Sequence, residues 1–369
     1  MATNHLHEIQ ALGQSVWLDN ISRGLIEDGD LAQLVQDGVS GVTSNPTIFE
    51  KAMGATDRYD HAFAEAVSAG IDDPREVFFR AGGADIRDAC DILAPVYERT
   101  DGKDGYVSFE LPPDVSHDAD GSVEVATRLH ADVDRPNLLI KVPGTEAGAK
   151  AFEELTAAGI SVNVTLLFAV KRYEEITEAY LSGLERRAEA GEPIDRISSV
   201  ASFFVSRVDS KVDAALEGLG RMDLAGQAGI ANAKLAYESC QRVFSGGRWD
   251  KLVASGANPQ RPLWASTGTK NPEYSDTMYV DNLIGPETVN TMPDATLEAA
   301  RDHATPARTV DEDVDAAHAL IDELRKIGVP FDDIVDVELV KEGLASFSKS
   351  FDSLIETIAD QLNQTAAKA

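Results

Sequence analysis

Cysteine is almost absent: Cys90 and Cys240 are the only two in 369 residues. They lie far apart in helical-looking stretches. Neither a disulfide framework nor a thiolate metal site follows, and a reducing cytoplasm is the expected setting. Positive charge is scarce too. The 33 Lys and Arg stand against 63 Asp and Glu, a net charge of −30. That balance opposes nucleic acid or an anionic membrane as a partner, and an anionic substrate would need a local cluster of cations. No apolar run reaches membrane-spanning length, and the opening MATNHLHEIQ has no basic region followed by an apolar one. Neither a span nor a leader is expected. The seven histidines show no ligand spacing, so no metal is expected. No Ser/Gly/Pro-rich linker, low-complexity tract or long repeat divides the chain. The expectation is one domain over residues 1–369, with a core at about 15–293 and a helical extension at about 294–369. The choice between a monomer and a homodimer stays open.

What the chain does have is a buried-looking lysine. In Asn137-Leu-Leu-Ile-Lys-Val-Pro-Gly-Thr145, Leu138 to Val142 reads as a strand, apolar at every position except Lys141. Burial disfavours an ammonium and favours the free amine, which can form a Schiff base with a carbonyl substrate. Pro143 and Gly144 stop the strand, and Thr145 is placed to cap a helix from Glu146 to Ala158 that Gly159 closes. The same residues also fit a lysine snorkelling from a strand end to water.

Seven further strands are expected. They are Ser15–Asn20, Gly41–Thr47, Gly105–Leu111, Ile160–Phe168, Ser198–Phe204, Pro262–Thr267 and Glu287–Thr291. Helical patterns alternate with them: Ser22–Gln36, Arg58–Tyr97 interrupted at Gly70-Ile-Asp-Asp-Pro74, Ser122–Val133, Ala169–Ala190 and Asp209–Phe244, the last broken at Gly218-Leu-Gly220. Eight short strands alternating with helices predict an α/β fold, a (β/α)8 TIM barrel with extra helices in insertions and at the C-terminus. A doubly wound sheet is disfavoured, since no Gly-rich turn follows an early strand. In the last helix Phe347, Phe351, Leu354, Ile358 and Leu362 form one apolar stripe.

Near the ends of seven strands stands a polar residue: Asp19, Asn45, Glu110, Lys141, Asn163 with Thr165, Ser202 and Ser266. The two-residue period makes an inward orientation available to each, as for Asp19 beside Trp17 or Ser266 beside Trp264. Barrel interiors are apolar and active mouths lie at the carboxyl ends of strands. One Asn or Ser there is ordinarily a turn former or cap, but the recurrence over seven strands points to one polar cavity. Weaker patterns are set aside. Asp311, Asp313 and Asp315 begin like a calcium loop, but Ala316 stands where glycine is required, so they read as a helix N-terminus. Asp19 with Glu110 as a glycosidase pair would leave Lys141 without a role.

These segments carry a resemblance. Gly41-Val-Thr-Ser-Asn-Pro-Thr47, Leu138-Leu-Ile-Lys-Val-Pro-Gly-Thr145, Asn163-Val-Thr-Leu-Leu-Phe168 and Ser202-Phe-Phe-Val-Ser-Arg207 resemble, in order and spacing, the signatures of transaldolases. The resemblance runs from about Val16 to Pro293. It implies transfer of a dihydroxyacetone unit between sugar phosphates, with no metal or organic cofactor. It further implies that Lys141 is the Schiff-base residue, Asp19 the proton shuttle, and Glu110 with Thr165 the pair that handles a catalytic water. By the same resemblance Asn45, Asn163 and Ser202 hold the dihydroxyacetone hydroxyls, Phe204 walls the pocket, and Arg207 binds phosphate. One departure stands out: a second phosphate arginine, two residues after Ser266, is missing. Ser266 is followed by Thr267, Gly268, Thr269 and Lys270, and Lys270 is the expected substitute.

Overall fold

The computed structural model describes residues 4–54 and 56–368; residues 1–3, 55 and 369 of the expected domain lie outside the described part. Eight parallel strands close into a barrel in sequence order. The first third of the chain runs α1 (Leu6–Ala11), β1 (Gln14–Leu18), α2 (Arg23–Glu27), α3 (Asp30–Gln36), β2 (Gly41–Thr43), α4 (Pro46–Gly54), α5 (Asp60–Ser68) and α6 (Pro74–Arg99). The middle runs β3 (Val107–Glu110), α7 (Ala119–Val133), β4 (Leu138–Pro143), α8 (Glu146–Ala158), β5 (Val162–Leu167), α9 (Val170–Glu189), β6 (Ser199–Phe204), α10 (Val205–Leu219), α11 (Ala228–Val243) and α12 (Gly247–Ala254). The last part runs β7 (Gln260–Ala265), α13 (Met278–Asn282), β8 (Thr288–Met292), α14 (Asp294–His303), α15 (Val314–Lys326), α16 (Phe331–Asp333) and α17 (Leu339–Lys368).

The lower barrel is filled by Trp17, Leu139, Val200, Leu263 and Val289, all buried. Trp17 lies flat across β2, and a Cβ on Gly41 would meet its ring at 2.4 Å, so only glycine fits there. Below, the Asp104 carboxylate accepts from Trp17 Nε1 at 2.8 Å and Ser15 Oγ at 2.6 Å. This plugs the amino end of the barrel and leaves the carboxyl end as the open one. α8 has the expected bounds: Thr145 Oγ1 accepts from Gly148 N–H at 2.9 Å, and Gly159 ends the helix at φ +90°.

Several boundaries differ from the sequence expectation. The expected helix Ser22–Gln36 is two helices, because Gly29 takes φ +82° between them. The strand Gly41–Thr47 stops at Thr43, and Pro46 opens α4 instead of closing a strand, its missing N–H costing nothing in a first turn. The helical insertion therefore begins before Arg58. The helix expected from Asp209 begins at Val205, directly on β6. Trp264 faces outward, its Nε1 donating to the Leu283 carbonyl at 3.0 Å, so strand alternation is not what turns Ser266 inward. Ser266 lies past the strand end at φ +56° and is swung toward the axis by that left-handed turn. The stripe on α17 is buried as read: Phe351 packs edge-on to Phe78 at 5.8 Å, and α17 folds back over α4, α5 and α6.

Candidate active site

The carboxyl ends of the strands surround a cavity of about 570 Å³. Register alone brings its centre together. Glu110 pairs with Lys141 across β3 and β4, and Lys141 with Asn163 across β4 and β5, so three polar side chains stand side by side on one level. Lys141 is 4% exposed. Its Nζ donates to Glu110 Oε2 at 2.9 Å and to the Ser44 carbonyl at 2.8 Å. The amine therefore has a carboxylate already placed to exchange a proton with it. Burial pushes the Glu110 carboxyl up from its ordinary range, against the opposing pull of the Lys141 ammonium.

Asp19, one residue past β1, faces the same cavity from the other side. Burial raises its pKa as well, opposed by Lys141 and by the hydroxyl of Thr43, which donates to Asp19 Oδ1 at 2.7 Å. Thr43 has a single hydroxyl proton, and it goes to Asp19. The 2.6 Å contact between the Thr43 and Thr291 hydroxyls must then run from Thr291 to Thr43. This chain from β8 through β2 orients Asp19. Thr43 sits two residues before Asn45, on the same face by strand parity, and that was the available signal for it.

The remaining expected residues separate into a floor, a wall and a rim. Asn163 is fully buried beneath the cavity: Ser202 Oγ donates to its Oδ1 at 2.7 Å, and its Nδ2 donates to Ser108 Oγ at 3.0 Å. Thr165 lines the cavity, its Oγ1 buried and without a hydrogen-bond partner among the described residues. The β5 register shifts just beyond, where Leu166 takes φ +58°. Asn45 is both cap and wall. Its Oδ1 accepts from Ile48 N–H at 3.0 Å at the start of α4, which leaves its Nδ2 for the cavity. Phe204 lines the cavity, and the Arg207 guanidinium lies 4.9 Å from its ring centroid. Among the described residues Arg207 makes no ion pair, although burial disfavours its charge and pulls its pKa down. Ser266 and Lys270 complete that side of the rim.

Other lining residues carry no sign of the site in the sequence analysis, Lys51 and Phe347 among them. Lys51 reaches the cavity from α4, and its spacing from Thr47 and Ile48 is helical, a signal masked by the expectation that Pro46 ends a strand. Phe347 reaches it from α17, some eighty residues past β7, and no local pattern connects the two. Away from the cavity, the carboxylate run at 311–315 is met by protein cations. Lys234 Nζ donates to the Glu312 carbonyl at 2.8 Å and Arg308 pairs with Asp311. Asp313 precedes α15 without a side-chain cap bond.

Fold and site together define a class: a β/α-barrel enzyme with a buried lysine–carboxylate pair at the carboxyl mouth. The sequence model of one family, described as Transaldolase/Fructose-6-phosphate aldolase, matches residues 16–358, and the chain belongs to that family. Among curated relatives, a transaldolase of Parafrankia sp. (strain EAN1pec) is 48% identical over 98% of this chain and 99% of the relative. A transaldolase of Thiobacillus denitrificans (strain ATCC 25259 / T1) is 47% identical over 96% and 99%. A transaldolase 2 of Nostoc punctiforme (strain ATCC 29133 / PCC 73102) is 45% identical over 98% of each. Among the described residues no helix is long and apolar enough to cross a membrane.

Proposed function

We propose that this chain is a transaldolase acting on phosphorylated sugars of the non-oxidative pentose phosphate pathway. It moves a dihydroxyacetone unit reversibly from sedoheptulose 7-phosphate or fructose 6-phosphate to glyceraldehyde 3-phosphate or erythrose 4-phosphate. The observation that carries the reading is Lys141 Nζ, buried at the mouth and 2.9 Å from Glu110, in a cavity that also holds Arg207 without an ion pair. Family membership and relatives named transaldolase over nearly the full chain support it.

In this mechanism Lys141, as the free amine, attacks the ketose C2 carbonyl to give a carbinolamine. Glu110, with a water held by the otherwise unpartnered Thr165 hydroxyl, moves the protons that let hydroxide leave as water. The iminium then withdraws electrons as the C3–C4 bond breaks, and Asp19 takes the C4 hydroxyl proton, releasing an aldose phosphate. The enamine left on Lys141 adds to the second aldose, Asp19 returns the proton, and hydrolysis frees the amine, a ping-pong course. Ser202, Asn163 and Asn45 orient the dihydroxyacetone hydroxyls, and Arg207, Ser266 and Lys270 take the phosphate. A cytoplasmic setting goes with this reading, supported by two free, buried thiols.

The test is transfer from fructose 6-phosphate to erythrose 4-phosphate, with free glyceraldehyde 3-phosphate followed in the absence of acceptor. Acceptor-dependent turnover identifies a transferase. Equal release without acceptor identifies a simple aldolase, and no turnover an inert binder. Borohydride added with donor should leave a three-carbon adduct on the peptide containing Lys141; an adduct elsewhere overturns the assignment.

A further inference from the structure

α10 begins directly on β6 and carries Arg207 in its first turn. Farther along the same helix Asp209 and Asp213, one turn apart on one face, make the same pair of bonds. Asp209 Oδ1 accepts from Gly229 N–H at 2.7 Å and its Oδ2 from the Tyr279 hydroxyl at 2.8 Å. Asp213 Oδ1 accepts from Gly226 N–H at 2.9 Å and its Oδ2 from the Tyr274 hydroxyl at 2.7 Å. Both tyrosines belong to the segment that follows β7, the segment that carries Lys270. Both glycines are required by the packing. A Cβ on Gly226, which has φ +71°, would lie 2.8 Å from the Tyr274 ring, and one on Gly229 would lie 2.6 Å from the Val205 carbonyl oxygen. At its near end the same segment is tied to α10 by Ser206 N–H donating to the Ser266 carbonyl at 3.1 Å, with the two serine hydroxyls 2.9 Å apart.

Lys270 therefore sits between two ties to the helix that bears Arg207, while its own ammonium makes no ion pair among the described residues. We infer that Asp213 with Tyr274, reinforced by Asp209 with Tyr279, positions Lys270 relative to Arg207, so that the two cations close on one substrate phosphate as a preformed pair. This rests on the proposed role of Arg207 and Lys270 in phosphate binding. A lysine on an untethered loop would lose loop and side-chain freedom on capturing the phosphate, whereas a tethered loop has lost much of it beforehand. Carboxylates this close to an anion site would otherwise oppose it. Here all four oxygens are turned onto N–H and O–H donors, which spreads their charge away from the mouth.

The test is a double-mutant cycle on the full chain between Tyr274→Phe and Lys270→Ala, run with fructose 6-phosphate and with unphosphorylated fructose. Tyr274→Phe keeps the ring on Gly226 and removes one hydroxyl. It is expected to raise KM for fructose 6-phosphate roughly three- to tenfold, with kcat within about twofold and fructose turnover unchanged. In the Lys270→Ala background the same change should add less than about twofold. Equal losses on both sugars, or full multiplication of the two effects, would mean that the tyrosine only stabilises the fold, and would overturn the inference. If Lys270→Ala by itself leaves fructose 6-phosphate unaffected, the phosphate role of Lys270 is wrong. The inference then falls with it, and a Tyr274→Phe loss confined to the phosphorylated sugar and abolished in Arg207→Ala would mean that the ties position Arg207 alone. Should Tyr274→Phe lower the folded yield, Asp213→Asn, which keeps one of the two bonds, is read by the same cycle.

Discussion

Glu110 and Asp19 are both carboxylates raised by burial, yet their partners differ, and so should their failures. Glu110 touches the lysine, whereas Asp19 is held by a threonine hydroxyl and faces the cavity. Asp19→Asn should still form the borohydride-trappable adduct while C–C cleavage falls about a hundredfold or more. Glu110→Gln should slow adduct formation itself. It should also lower stability by about 3 kcal/mol, because it leaves Lys141 buried without its counter-charge. Rapid-quench trapping and thermal unfolding read the two effects, and adduct forming at the wild-type rate in both variants would refute this division of labour. Arg207→Ala should cost about 2 kcal/mol, more than tenfold in kcat/KM, on phosphorylated sugars and far less on unphosphorylated ones. An equal loss on both would make Arg207 a wall residue stacked on Phe204. The carboxylates and the lysine were legible in the sequence, because each is a polar interruption at a fixed place in a strand–helix unit, whereas Arg207 was marked only by the resemblance of Ser202-Phe-Phe-Val-Ser-Arg207. Thr291 and Phe347 were not, because what makes them matter is a neighbour some 250 residues away for one and a helix folded across the mouth for the other.

At the scale of elements, the turn from β4 into α8 fixes the height at which Lys141 stands. Gly148 is packed so tightly in the first turn of α8 that an added Cβ would lie 1.8 Å from the Pro143 carbonyl oxygen, a rigid backbone atom of the lysine's own strand. Gly148→Ala, ordinarily favourable in a helix, should here destabilise by about 3 kcal/mol through overpacking and lower kcat by shifting the end of β4. Thr145→Ala removes both the cap on Gly148 N–H and the bond from Thr145 Oγ1 to the Ser116 carbonyl at 2.6 Å, and should cost about 1 to 2 kcal/mol. Chemical denaturation with kcat measured in parallel tests the pair. A neutral or stabilising Gly148→Ala would show that the turn has room to move. α17 acts on the other side of the site. Gly343 lets it rest on Leu166 and beside Arg207, and Thr47 Oγ1 donates to Ser350 Oγ at 2.8 Å, joining it to α4.

For the whole molecule, the buried Asp209 carboxyl makes stability depend on pH. Desolvation outweighs its hydrogen bonds and raises its pKa from 3.8 to about 6. Between those values the folded chain holds a proton that the unfolded chain has lost. Its contribution is thus fully present below about pH 4 and is lost as pH rises through about 6, a fall of about 3 kcal/mol. Asp209→Asn, which keeps an acceptor for the Tyr279 hydroxyl, should remove that part of the slope. The difference between wild type and variant in urea midpoints from pH 4 to 7 measures it, and parallel curves would show that Asp209 titrates normally.

The sequence by itself determined the alternation of strands and helices, the capped turn after Lys141, and which strand ends carry polar groups. All of these are set by period, by turn chemistry and by the few residues next along the chain. Only the tertiary structure decided that Glu110 lies within reach of Lys141, since that depends on the register between β3 and β4. It also decided that Ser266 enters the cavity through a left-handed turn, not by strand alternation. And it decided that Asp209 and Asp213 tie the segment after β7 to α10. Closing the barrel brings β1 against β8 and the β7 segment against α10, and contacts across such separations are fixed by packing and register, which leave no period in the chain to read.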